Sequence, residues 1–287
     1  MNRISLKVRQ YAASLTAKMN PRIYFSLSYL HNHKRIPSFK NPKDLSELWI
    51  SRLLRGDFLK CYYLADKYLV RDYISSKGYS NLLTPLIGVY DNFSDIDFTK
   101  LPNRFALKMN CFAGMNYICT DKTKIDLKGL EAKVNSWKQK KLVSFSERHY
   151  NLIEPKLVCE EFIDDGSGKF PTDYKFICLK GHVECVLACK GREKGRAHYS
   201  PYTPTWVPLP YYRKDGNFDI IPKPKNLEKM IAVAEDLSKE FEMIRVDLYS
   251  NGDRIWFGEM TLTPAGCMFH HWSNRALSEL GAKFYSH

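Results

Sequence analysis

Polar and apolar positions alternate with a period of two in several short runs of this chain, and with a helical period in several longer ones. Residues 84–90, 105–109 and 157–163 read as strands, the last entering a polar loop over 164–168. Residues 173–179 and 183–189 read as a hairpin across Lys180-Gly181. Helices are predicted over 66–77, ended by Gly78, over the Lys-rich 128–141, and over the amphipathic 226–241. Residues 1–82 read as mostly helical, with breaks around Pro21 and Pro37, and Asp44 or Ser46 is placed to cap a helix after Pro42. Residues 190–226 are rich in Pro and aromatics and show no regular pattern, as long lid or binding loops often do. Strands and helices mixed in this order predict an α+β or α/β enzyme in two lobes.

One stretch breaks the ordinary patterning of a core. Between Ile244 and Pro264, two apolar runs flank Asn251-Gly252-Asp253, and each carries one carboxylate. Alternation puts Arg245, Asp247 and Tyr249 on one face of the first run, and Ile255, Phe257, Glu259 and Thr261 on one face of the second. A carboxylate there is costly to desolvate unless a cation or donor meets it. Asp247, Glu259 and Arg245 therefore look like a site for Mg²⁺ and phosphate; the alternative is a surface hairpin with solvated acids. A two-residue Asn251-Gly252 turn would pair Asp247 with Trp256 and send Glu259 to the other face. Facing carboxylates require an odd-length loop centred on Asp253, with Gly252 at positive φ.

The chain has 287 residues and is 44% hydrophobic, enough for one large or two modest domains. It has no apolar run of ~18 residues and no N-terminal signal-like core, so neither a membrane span nor secretion is expected. The eight cysteines are scattered, form no C-x-x-C pair and mostly sit in apolar runs. They read as reduced thiols of a cytoplasmic protein, and no zinc site is expected. The net charge of +13 is uneven: residues 1–43 hold nine Lys or Arg and no acid. The body is thus no basic nucleic-acid platform. Ile4, Leu6, Val8, Tyr11, Ala12 and Leu15 partly fit a helical stripe beside Arg3, Lys7, Arg9 and Lys18. Such a segment could lie on the anionic inner face of a membrane, or pack on the body with its basic face solvated.

ATP-dependent carboxylate chemistry needs cations for the triphosphate, carboxylates for Mg²⁺, and a loop that covers the phosphates. Candidates for each occur in a consistent order, and that order resembles the ATP-grasp superfamily, specifically its TupA-like (teichuronopeptide-type) branch. The resemblance rests on Ala65-Asp-Lys67-Tyr-Leu-Val-Arg71, Leu101-Pro-Asn-Arg-Phe-Ala-Leu-Lys108, Glu147-Arg-His-Tyr150 and Cys159-Glu160-Glu161-Phe-Ile. It continues through Thr172-Asp173-Tyr174-Lys175-Phe, Met230-Ile-Ala-Val-Ala-Glu235, Arg245-Val-Asp247-Leu-Tyr and Gly258-Glu259-Met-Thr261-Leu-Thr-Pro264, and covers about residues 41–270.

The resemblance implies an α+β fold of two lobes gripping ATP. The corresponding division is a mostly helical region over 1–98, a small lobe over 99–164 and a large lobe with the metal-binding hairpin over 165–287. By the same resemblance Lys67 and Lys108 would contact phosphates, and 111–116 would cover them. Glu160 would accept from the adenine amine, with Glu161, Phe162 and Ile163 lining the ring. Asp173 would hold the ribose hydroxyls and Lys175 would reach phosphate. Arg245 would stabilise charge on the transferring phosphoryl group. Asp247 and Glu259 would coordinate Mg²⁺, and Thr261 stands where many members have Asn as a further ligand.

Family members are associated with bacterial surface polysaccharides. The implied activity is therefore ATP-dependent carboxylate–amine ligation through an acyl phosphate, amidating a uronic acid with an amino acid or amino sugar. Arg192, Arg196 and His270 are candidates to hold the acceptor, His149-Tyr150 to contact substrate or pack, and backbone N–H groups around Gly266 to meet an acyl oxyanion. Adjacent strand residues point apart, so His270-His271 suggests no metal site. A metal-dependent glycosyltransferase or phosphotransferase of capsule or O-antigen synthesis is the alternative enzyme, although Asp247-Leu-Tyr lacks the short Asp-x-Asp spacing. A membrane- or polyanion-binding module is the non-enzymatic alternative.

Overall fold

The computed structural model describes residues 20–140, 144–164, 171–191 and 197–287. Helix α1 (Pro21–His33) starts where the sequence suggested a break. Asn20 accepts a hydrogen bond from the Ile23 N–H, and Pro21 sits at a first-turn position where no N–H is needed. Asp44 caps α2 (Leu45–Arg55) by accepting from the Glu47 N–H at 2.9 Å, and Gly56 ends that helix at φ +83°. Asp66 then accepts from the Tyr68 and Leu69 N–H groups in the turn leading to α3 (Val70–Ser76).

Four strands form the smaller sheet: β1 (Leu86–Tyr90), β2 (Phe105–Met109), β3 (Asn116–Cys119) and β4 (Leu157–Glu161). Their spatial order is β1-β4-β2-β3, every neighbouring pair antiparallel. The strand at Leu86 thus pairs within this sheet, although the sequence division sets it before residue 99. Helix α4 (Leu127–Lys138) follows β3 and buries Leu130, Val134 and Trp137, a four-and-three spacing on one face.

The larger sheet has the order β7-β6-β5-β8-β9, again antiparallel throughout. Its strands are β5 (Thr172–Leu179), β6 (His182–Lys190), β7 (His198–Tyr202), β8 (Met243–Ser250) and β9 (Ile255–Thr261). β7 arises inside the segment without legible periodicity; its Pro201 is tolerated because the strand lies at the edge. Helix α5 (Leu227–Ser238) packs on β5, β6 and β8, burying Leu227, Met230, Val233, Ala234 and Leu237. The Cys178 thiol reaches the Ala234 carbonyl. Even-numbered residues of β5 therefore face α5, and Asp173, Lys175 and Ile177 face the opposite side.

The first helices are fastened to the end of the chain. Trp49 Nε1 donates to the Leu262 carbonyl at 2.8 Å, and Ser46 Oγ donates to the Met268 carbonyl at 3.0 Å. His33 Nε2 also bonds that Met268 oxygen, at 2.8 Å. Helix α6 (Asn274–Ser286) approaches so closely that a Cβ on Gly281 would lie 2.5 Å from Asp44 Cα. All eight cysteines are free thiols, seven of them buried.

Candidate active site

A cavity of about 560 Å³ opens between the two sheets. On the small-sheet side it is lined by Lys67, Arg71, Lys108 and Glu160. Lys108 extends from β2, and its Nζ meets Glu160 Oε2 at 2.6 Å; Arg71 reaches Glu160 Oε1 at 2.9 Å and the Thr84 carbonyl at 3.0 Å. Glu160 is therefore shared between two cations; the resemblance implies that it would accept from an adenine amine. Glu161 is exposed, Phe162 lies under the Arg104 guanidinium at 3.9 Å, and Ile163 lines the cavity. Lys67 Nζ donates to the Phe112 carbonyl at 2.9 Å, which ties it to the turn between β2 and β3. Phe112 and Gly114 both have positive φ in that turn, and Ala113 and Gly114 line the cavity. Burial lowers the Lys67 pKa, opposed chiefly by the field of Glu259 from the other lobe.

The large-sheet side is built on β5, β8 and β9. Asp247 pairs with Lys175 on one side and Glu259 on the other. The facing carboxylates expected from the sequence are present, but not by the expected device. The loop between the strands is the even-length 251–254, with Gly252 at φ +95°. The extra residue is Gly258, at a bulge opposite Asp247–Leu248. A Cβ at Gly258 would lie 2.9 Å from the Asp247 carbonyl oxygen, so only glycine fits this crossing without displacement.

Arg245 clasps both acids. Its Nε and Nη2 meet Asp247 Oδ1 and Oδ2 at 2.6 and 2.7 Å, and Nη2 also meets Glu259 Oε1 at 2.7 Å. Lys175 ion-pairs with Asp247 and, at 2.8 Å, with Asp173. The Thr261 hydroxyl donates to Glu259 Oε1 at 2.9 Å. Asp247 is 1% exposed, whereas the Glu259 side chain is 45% exposed and lines the cavity. Lys175 also lines it, and Asp173 is buried behind the Lys175 ammonium.

Charges here are mutually tuned. Burial pushes the Asp247 carboxyl up, against the pull of Arg245 and Lys175. Burial also opposes ionisation of Glu259, but Arg245, Lys175 and Lys67 together hold it well below the ordinary carboxylate range. Lys175 and Arg245 are raised, because their carboxylate partners outweigh desolvation.

A third part of the lining comprises Arg213, His270, His271 and Trp272. His270 and His271 follow Phe269, whose φ is +44°, in a turn rather than a strand, and their rings lie 4.0 Å apart. Burial lowers the His270 pKa, reinforced by His271, Lys214, His33 and Arg213. Gly266 is no oxyanion donor here: its N–H already bonds the Thr263 carbonyl at 3.0 Å. His149 packs against Tyr150 and is buried, which depresses its pKa to about 4. Arg192 and Arg196 lie outside the described residues.

A divalent cation is testable against this donor set. Among the described residues no group of three His, Cys, Asp or Glu converges as a metal cage. Mg²⁺ rarely uses one; it takes one or two carboxylates and completes its shell with waters and substrate phosphates. Glu259 offers a hard oxygen of that kind to the cavity, and Asp247, its partner across the ribbon, would offer a second where Arg245 and Lys175 turn to phosphate. The residues fit the ion.

Two antiparallel sheets flank the cation-lined cleft, an arrangement that a family match identifies as the ATP-grasp fold. The family described as TupA-like ATPgrasp matches residues 48–285, and the chain belongs to it. Among solved structures, a D-alanine–D-alanine ligase from Bacillus anthracis is similar, with 14% identity and a TM-score of 0.47 over 82% of this chain and 70% of that one. An L-amino acid ligase from Bacillus licheniformis shows 15% identity and a TM-score of 0.42, over 78% of this chain and 44% of that one. The ADP complex of an N5-carboxyaminoimidazole ribonucleotide synthetase shows 14% and 0.41, over 69% and 45%. The chain thus spans under half the length of the last two. No curated protein matches it significantly in sequence.

Arg71 and Arg213 were not singled out by sequence reasoning. Arg71 stands four residues after Lys67, a spacing that could have marked it as a neighbour on one face. Arg213 sits in the aperiodic segment and gave no signal.

Proposed function

We propose that the protein is an ATP-dependent carboxylate–amine ligase. The carboxylate of one substrate attacks the γ-phosphate of ATP, giving an acyl phosphate and ADP; an amine then displaces phosphate to give an amide. The carrying observation is the Arg245 clasp on Asp247 and Glu259, which shares one cavity with Lys67 and Lys108.

The chain's own residues act by position and charge. Lys67 and Lys108 neutralise phosphate oxygens. Lys175 holds Asp247 in place from the adjacent strand. Arg245 lines the cavity while holding both acids, and its planar fork can exchange a carboxylate oxygen for a phosphate oxygen as charge develops on the transferring group. Mg²⁺ held by Asp247 and Glu259, with Thr261 orienting Glu259, would draw charge from the phosphates. No side chain need serve as nucleophile. Arg213, held by Asp215, lines the cavity beside His270 and His271 and offers N–H donors to an acidic substrate; a uronic acid joined to an amino acid or amino sugar in surface-polysaccharide assembly is the pair we favour.

The test is trapping. Protein, Mg-ATP and candidate uronates are incubated with hydroxylamine; ADP and a hydroxamate, both dependent on the acid, are expected. UDP or a phosphodiester as the product, with no hydroxamate, would overturn the ligase reading.

A further inference from the structure

Helix α1 has two apolar faces, and the other described residues bury only one. Phe25, Tyr29 and His33 are buried. Ile23, Leu27 and Leu30, spaced four and three apart, share another face and are 51%, 59% and 44% exposed. Just beyond the helix, Ile36 is 86% exposed. Four of the thirteen exposed large apolar residues among those described thus fall between positions 23 and 36, a concentration that scattered surface leucines do not produce.

Charge selects the partner. Residues 1–43 carry nine Lys or Arg and no acid; Arg22 and Lys34 adjoin the stripe in sequence, while Arg35 is turned to Asp44 and Tyr29 on the buried side. A second copy of this chain would bring the same basic excess to the contact and be repelled. An anionic lipid surface satisfies both features, since apolar side chains enter the acyl boundary while Lys and Arg meet headgroup phosphates. The contact would be superficial: among the described residues no helix is long and apolar enough to cross a membrane.

The helix is also well placed. Its last residue, His33, bonds Met268 and faces Lys214 at 3.3 Å, while Lys214 donates to the Asn32 carbonyl at 2.8 Å. Met268 and Lys214 are close in sequence to His270, His271 and Arg213, which line the cavity. We propose that the Ile23–Leu27–Leu30 face docks on an anionic phospholipid bilayer, while the buried Tyr29–His33 face of the same helix joins it to the segment that carries the cavity histidines. This does not depend on which reaction the cavity performs.

The full chain is sedimented with vesicles of phosphatidylglycerol mixed into phosphatidylcholine, and with phosphatidylcholine alone. Binding to the first only, weakening as salt rises, is expected, and Ile23→Glu/Leu27→Glu should lower the partition at least ~10-fold, as loss of two buried apolar side chains requires. These side chains are exposed, so the thermal midpoint should not fall; a variant as stable and as tightly bound as the parent would overturn the proposal. Leu27→Trp gives an independent reading. Its emission should shift to the blue on adding the anionic vesicles, and an unshifted spectrum would overturn the proposal. So would a parent protein that is dimeric without vesicles and becomes monomeric on Leu27→Glu.

Discussion

The two walls of the cavity use the same chemical parts in opposite proportion. On the small-sheet wall, two cations, Arg71 and Lys108, share one carboxylate, Glu160. On the large-sheet wall, three carboxylates, Asp173, Asp247 and Glu259, share two cations, Lys175 and Arg245. One wall is left with a positive balance and invites phosphate; the other is left negative and invites a divalent cation. Neither balance is visible in the protein's overall charge. On the proposed reading, a cleft polarised in this way would orient a metal–triphosphate before any induced movement.

Substitutions can break this contrast, and the largest effect should come from Asp247→Asn. It leaves Lys175 and half of the Arg245 fork buried without their main partner, which costs about 3–5 kcal/mol; urea unfolding of the variant should show it, and an unchanged midpoint would mean the network is not structural. Glu259→Gln is next. Its side chain is more open, so folding should survive while ADP formation falls ~10²–10³-fold, as when a preorganised electrostatic contact is lost. The same assay should show a higher Mg²⁺ requirement. Gly258→Ala forces a Cβ against the Asp247 carbonyl and should cost about 1–3 kcal/mol through overpacking. Differential scanning calorimetry reads that loss, and activity should fall with it because the bulge sets which way Glu259 points.

Lys108→Met sharpens the contrast from the other wall. It removes one of the three cations of that wall, Lys67, Arg71 and Lys108, and should raise the KM for ATP about 10-fold, roughly one charge-assisted contact, with the Mg²⁺ requirement unchanged. A variant that altered Mg²⁺ dependence instead would erase the distinction between the walls. The smallest effect is a pH dependence. Glu259 titrates below the ordinary range when folded, so the unfolded chain takes up its proton first. Its contribution to stability is complete above an unfolded pKa of about 4.3 and is lost as pH falls toward the folded value. Acid unfolding curves of the parent should therefore be steeper below about pH 4 than those of Glu259→Gln.

Much of this was legible in residue order, and the exceptions have physical causes. The strands carrying Lys108, Asp173, Lys175, Arg245, Asp247 and Glu259 follow from alternation, and the family match over 48–285 agrees with the motifs that suggested it. The hairpin's register was half legible. Facing carboxylates demanded one odd residue, and the turn was the natural place to put it, although the isolated glycine of Phe257-Gly258-Glu259 inside a strand run is itself a sign of a bulge. The strand His198–Tyr202 was hidden because a Pro-bearing edge strand lacks both alternation and propensity. Contacts made across elements, such as Arg71 with Glu160 or Arg213 with the histidine turn, have no local signature at all.

The hydrogen bonds from the opening helices to the segment after β9 have a consequence for modularity. The family-matching span begins at residue 48, yet two of the three donors that reach the Leu262 and Met268 carbonyls, His33 and Ser46, precede it. The recognisable catalytic body is thus not self-sufficient. Transplanted into another scaffold without its first helices, it would carry an unfastened exit from the β8–β9 ribbon that holds Asp247 and Glu259.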